Sequence, residues 1–136
     1  MTPVEVTENA AVYRHFIVDK WDIYIGKNDK QNDELTVCFG RPSDIWMHVA
    51  SHAGSHVVIR RENETAWPPQ SILETAASLA AWFSKARNAS LVKVHVTEIR
   101  FVQKLKNAPA GEVHIRKFKT LRVKPLSPQI IFPVNG

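Results

Sequence analysis

The sequence predicts an α+β fold: a mostly antiparallel β-sheet, one long helix packed on one face, and a shorter helix after the first hairpin. Two observations carry this. Apolar residues recur at period two in short β-branched and aromatic runs, the pattern of half-buried strands. One stretch alone has a helical stripe, where Ile72, Ala76, Leu79, Phe83 and Ala86 share a face widened by Leu73, Ala77 and Ala80. A chain of 136 residues, 44% hydrophobic and 23% charged, suits a single domain with a real core.

Residues 1–11 read as a loose lead-in. Val12–Val18 and Trp21–Ile25 are strands, with Trp21, Ile23 and Ile25 alternating against Asp22 and Tyr24. Asp19-Lys20 is short enough for a hairpin turn, although it lacks glycine. The polar block Gly26 to Glu34 breaks the alternation, and Asn28 or Asp29 is placed to cap a short helix running to about Cys38. Asp44 to Arg61 reads as two strands around a Gly54-containing loop: Ile45, Met47 and Val49 on one face, Trp46 and His48 on the other, then Val57 and Ile59 against His56, Val58 and Arg60. Pro68-Pro69 opens the long helix, Pro69 to about Ala86, with Ser71 and Glu74 spaced as a capping box. Lys85 and Arg87 fall at its end, where positive charge suits the dipole. Val92–Val96, Ile99–Phe101, Val113–Ile115 and Leu121–Val123 complete a sheet with one wet face, unusually rich in Lys, Arg and His. Residues 125–136, with Pro125, Pro128 and Pro133, read as an extended tail.

Charge narrows the function. The net charge is +5 and the pI about 9.6. Residues 1–84 hold seven Lys/Arg against eleven Asp/Glu, net −4, whereas residues 85–136 hold eleven against two, net +9. Such asymmetry points to a polyanion partner. Cys38 is the sole cysteine, so an intrachain disulfide is excluded. No apolar run reaches the length of a membrane span, and the N-terminus lacks the basic-then-apolar order of a secretory signal, so a cytoplasmic location is expected. Walker-type phosphate loops, HExxH and cysteine pairs are absent. Ser55 and His56 are adjacent in a strand and point to opposite faces, and Cys38 has no evident base, so nucleophilic catalysis finds little support. One short stretch does collect an aromatic ring, two imidazoles, a hydroxyl and a fixed cation: Trp46, His48, Ser55, His56 and Arg60 are expected to converge at one rim.

The order of motifs resembles the NFACT-R domain, the predicted RNA-binding module of the NFACT family, which includes NEMF-like and bacterial fibronectin-binding-protein-like ribosome quality control factors. The resemblance rests on GKNDKQNDELT (Gly26 to Thr36), DIWMHVASHAGSHVVIR (Asp44 to Arg60) and AASLAAWFSKARNAS (Ala76 to Ser90), with VKVHVT and VQKLKNAPAGEVHI fitting more loosely. It covers about Tyr13 to Pro125. Ala53 stands where the family usually has proline, and Val94 to Phe101 lacks some of the family's aromatic and basic character. Full-length members add a glycosylase-like domain, helical segments and a coiled coil that these 136 residues do not contain, so roles needing those parts do not transfer.

The resemblance implies a non-catalytic RNA-binding module acting on tRNA or rRNA in translation quality control or tRNA modification. Expected phosphate contacts are Lys27, Arg60, Lys85, Arg87, Lys93, Lys104, Lys106, Arg116, Lys117 and Lys119. Trp46 or His48 would stack on a base, with His56 beside them, while Asn28, Gln31, Asn32 and Ser55 would read base edges or a 2′-hydroxyl. Arg60→Ala or Lys85→Ala is then expected to weaken RNA binding without unfolding the domain. No cofactor is expected. Two alternatives stand beside this: a docking module for the ribosome or an RNA-modifying enzyme through exposed strand edges, and a metal-dependent enzyme using His48, His52 and His56. The latter needs a helix that Gly54 and the strand pattern oppose.

Overall fold

The computed structural model describes residues 12–62 and 66–132; the expected lead-in at residues 1–11 and Pro133 lie outside them. Among the described residues eight strands form: β1 (Arg14–Val18), β2 (Trp21–Ile25), β3 (Ile45–Val49), β4 (Val57–Ile59), β5 (Val92–Glu98), β6 (Val102–Gln103), β7 (His114–Ile115) and β8 (Lys119–Val123). Six make one sheet in the order β1-β2-β4-β3-β5-β8, and β6-β7 form a separate ribbon. Every pairing is antiparallel. The β1–β2 hairpin closes through Asp19 and Lys20, both at positive φ (48° and 70°). Those angles match the two-residue turn that follows strand twist, reached here without glycine.

The helix α2 (Gln70–Trp82) lies on one face of the sheet. Ala76, Ala77, Ala80 and Ala81 are fully buried, and their small side chains let the helix approach Ile23, Ile25, Ile45, Met47, Val57, Ile59 and Val94 closely. The capping box does not form. Extended Pro69 is the N-cap, and Ser71 instead uses its carbonyl to accept from the Thr75 hydroxyl at 2.8 Å. The helix also ends earlier than expected: the Phe83 amide donates to the Leu79 carbonyl, and the chain then turns. Lys85 and Arg87 therefore lie beyond the helix rather than in its last turn.

The other face is wet only in part. Leu35, Trp46 and Val58 form a second buried cluster, covered by Tyr24, Phe39, Ile99, Val102, Val113 and Ile115. Its cover comes from the ribbon and from a helical segment, α1 (Asp29–Asp33), which runs on into a π-helical turn at Glu34–Phe39. In that turn the Gly40 amide reaches back to the Leu35 carbonyl at 2.8 Å, and Leu35 and Thr36 are turned inward. The C-terminal segment is not an extended tail over its described part. Ser127 caps a short helix, α3 (Pro128–Ile131), and Phe132 stacks on Phe16 at 5.4 Å.

A candidate nucleic-acid interface

The polar block after β2 folds as its amides dictate. Asn28 is extended and its side chain accepts from the Gln31 amide at 2.9 Å, while the Gln31 side chain accepts from the Lys27 amide at 3.0 Å. Asn32, one residue on, is buried at 2% exposure. Its carboxamide donates to the Gly54 carbonyl at 3.4 Å and accepts from the His56 amide at 3.1 Å. Gly26 is required beside it, since a Cβ there would stand 2.0 Å from the Asn32 Oδ1. Gly54 is required too: it bridges to Ser84, and a Cβ would meet the Ser84 Cβ at 2.7 Å. Around that bridge the Ser55 amide donates to the Phe83 carbonyl and the Lys85 amide to the Ala53 carbonyl. The 53–55 loop is thus stitched to the chain leaving α2.

This stitching shapes an open cleft of about 350 Å³ lined by Arg14, Lys27, Lys85 and Arg87, with Asn28, Asn32, Gly54 and Ser55 between them. Among the described residues that line it, Asp29 is the one carboxylate against four cations. Arg14 lies over the Phe83 ring at 4.5 Å and Arg87 over the Trp82 ring at 4.9 Å, so each guanidinium rests on an aromatic face. Among the described residues no carboxylate pairs with Lys85 or Arg87. Sequence reasoning missed Arg14, which reaches the cleft from a strand distant in the chain.

A second concavity, about 540 Å³, is lined by Trp46, His48, His56, His95, Asp29 and Glu112, with the loop Pro109 to Val113 as its far wall. Trp46, His48 and His56 do converge, with ring centroids 5.1–6.0 Å apart. His48 faces His95 across the β3–β5 register. Beneath them runs a directed chain of hydrogen bonds. The Trp46 indole donates to Thr36 Oγ1 at 3.1 Å, Thr36 Oγ1 lies 2.7 Å from His56 Nδ1, and His56 Nε2 lies 3.0 Å from the Gly111 carbonyl. A carbonyl can only accept, so Nε2 carries the proton and Nδ1 accepts from the threonine hydroxyl. Burial, with His48 nearby, pushes the His56 pKa down to about 4 against the opposing Gly111 carbonyl. Burial also lowers His48 and His95.

Several expected contacts sit elsewhere. Arg60 does not reach the rim: it is 8% exposed, pairs with fully buried Asp44 at 2.8 Å, and lies over Phe39. Asp44 also accepts from the backbone amides of Arg61 and Arg41. Trp46, Asn32 and His56 are buried and committed to internal hydrogen bonds, so Trp46 is a floor and not a stacking platform, and Asn32 cannot read a base edge. Lys104 is drawn to Asp33 at 3.1 Å and to the Pro109 and Glu112 carbonyls, which folds its loop. Arg116 and Lys117 lie over Phe101, and Lys119 over Trp67, all three exposed. Lys93 is exposed and stands opposite Arg122 in the β5–β8 register; Lys106 is exposed in the 104–112 loop. The cations of residues 85–136 are divided among several partners, Trp82, Phe101, Trp67 and Asp33. His48, His52 and His56 do not form a triad: His52 is exposed and bonds the Ala50 carbonyl, and both nitrogens of His56 are engaged. Among the described residues no three His, Cys, Asp or Glu are grouped to hold a metal ion, and no helix is long and apolar enough to cross a membrane.

Comparison with known proteins agrees with this architecture. The chain is 41% identical over 108 residues to the Rqc2 homolog RqcH of Streptococcus suis, covering 79% of this chain and 19% of that protein. It is 39% identical over 109 residues to the Rqc2 homolog RqcH of Bacillus subtilis, covering 80% and 18%. The ribosome quality control complex subunit NEMF homolog of Drosophila melanogaster is 35% identical over 98 residues, covering 71% and 10%. The chain thus spans no more than about a fifth of these relatives. The C-terminal structure of the fibronectin/fibrinogen-binding protein of S. suis superposes with a TM-score of 0.76 at 36% identity, covering 96% of this chain and 47% of that one. The description "NFACT protein RNA binding domain" matches residues 11–117, and the chain belongs to that family.

Proposed function

We propose that this domain is a non-catalytic RNA-binding module of translation quality control that holds the RNA phosphate backbone in the cleft of Arg14, Lys27, Lys85 and Arg87. The observation that carries the reading is the cleft's charge, four cations against one carboxylate, built on a stitched backbone. Family membership and the RqcH and NEMF relatives support the same reading. The ligand is tRNA or rRNA, in ribosome quality control or in tRNA modification, and the two RNAs are separate arms of the test. Binding of labelled tRNA and of an rRNA fragment is measured by anisotropy across a salt series. Four phosphate contacts give a log K against log salt slope of about −3, and Lys85→Ala makes it shallower by about 1 with the melting temperature unchanged. No binding at low salt by either RNA, or an unaltered slope in Lys85→Ala, refutes the reading.

A further inference from the structure

We propose that the domain captures an unpaired nucleotide, with its phosphate in the cationic cleft and its base in the histidine recess across the Ala53–Gly54 backbone. This rests on the RNA-binding reading above and adds that the RNA is single-stranded where it is held. The two concavities are contiguous: Asp29, Ala53 and Gly54 line both. Their characters are opposite. Among the described residues the cleft carries four Lys and Arg, while the recess carries none and is lined by Asp29 and Glu112 together with imidazoles. A phosphate is attracted to one side of the saddle and repelled from the other, which leaves the recess for the uncharged part of the nucleotide.

The recess suits a base in size and surface. Its volume of about 540 Å³ falls within the range of small-ligand sites. His48 and His95 lie side by side on neighbouring strands, partly exposed, above the buried Trp46 floor. The facing wall is held in place, because the Gly111 amide donates to Asp33 at 2.9 Å and its carbonyl bonds His56. Burial keeps His48 and His95 tilted toward the neutral ring, which stacks on a base without a charge to desolvate. A base in a duplex is stacked on both faces and cannot enter such a recess without leaving its helix, so the arrangement selects unpaired strands.

The test uses the full chain and three fluorescein-labelled RNAs: a mixed-sequence octamer, the same octamer with abasic riboses, and the octamer annealed to its complement. The intact strand is expected to bind about tenfold more tightly than the abasic strand or the duplex, the scale of one stacked base. His48→Ala, and independently His95→Ala on the neighbouring strand, should bring the intact and abasic strands to within about threefold of each other. If the abasic strand or the duplex binds the wild type as tightly as the intact strand does, the recess takes no base, while the cleft reading stands. If none of the three binds at low salt, the RNA-binding reading falls and this inference falls with it. Should one variant fail to fold, the wild-type comparison of the three RNAs still decides the matter.

Discussion

Acid should loosen this domain before its carboxylates alone would, because His56 is buried in its neutral form. An ordinary histidine titrates near 6.5, and in the fold His56 titrates at about 4, chiefly through burial and then through His48. Between those values the unfolded chain takes up a proton that the folded chain refuses, so stability falls as pH falls. The contribution is complete above about pH 6.5 and is lost on the way down to about pH 4, amounting to about 3 kcal/mol, of which about 2 kcal/mol has gone by about pH 5. Proton entry would turn Nδ1 into a donor facing the Thr36 hydroxyl, which already accepts from Trp46, and would bring a charge beside His48. Asp33 and Lys104 act on the ring in opposite directions and more weakly. Urea unfolding of the wild type and of His56→Gln at a series of pH values isolates the effect from the other titrating groups. The stability gap between the two proteins should shrink by about 2 kcal/mol between about pH 7 and about pH 5. A gap that stays constant over that range refutes the argument.

Three further outcomes follow from the packing. Arg60→Ala should lower stability by about 3–5 kcal/mol, because it leaves the Asp44 carboxylate buried without its cation; chemical denaturation reads this directly, and a fully stable variant would show that Asp44 is not confined as described. Gly54→Ala should cost about 1–3 kcal/mol from its contact with Ser84 and should weaken RNA binding by spreading the cleft; melting temperature and anisotropy read the two effects separately. Arg87→Ala should make the salt slope of RNA binding shallower by about 1 while leaving the urea midpoint in place, since its guanidinium stands over Trp82 at the surface.

Most strands of the six-stranded sheet and the long helix were readable because each has one dominant period; Ile99–Phe101, expected as a strand, is instead a single 3-10 turn, and His114–Ile115 pairs in the separate ribbon. Ile45, Met47 and Val49 lie against α2 as their alternation requires, with Trp46 opposite. A cap at Asn28 or Asp29 was also readable, being local chemistry over three residues, and the structure uses Asn28. What local reasoning could not see was pairing between distant residues. Arg60 looked like an exposed cation because Asp44, sixteen positions away, has no mark that singles it out as buried. Arg14 looked like an ordinary strand residue because Phe83 lies far along the chain. Dividing charge by halves of the sequence misled for the same reason: the cleft draws Arg14 and Lys27 from the acidic part and Lys85 and Arg87 from the start of the basic part. The π-helical turn has no signal in periodicity, yet it is what carries Thr36 to Trp46 and His56.

Asn32 has a chemical consequence of its own. Its carboxamide meets Gly54 and His56 as a peptide unit of an adjacent strand would, offering one hydrogen to a carbonyl and one oxygen to an amide two residues along. The chain here borrows a side chain in place of backbone. Slow hydrolysis of that amide to a carboxylate would change neither size nor shape, but it would set oxygen against oxygen at Gly54 and put a negative charge under a surface whose attraction is for anions. Ageing at this one nitrogen atom would unpick the saddle from below, leaving the sheet and the long helix intact.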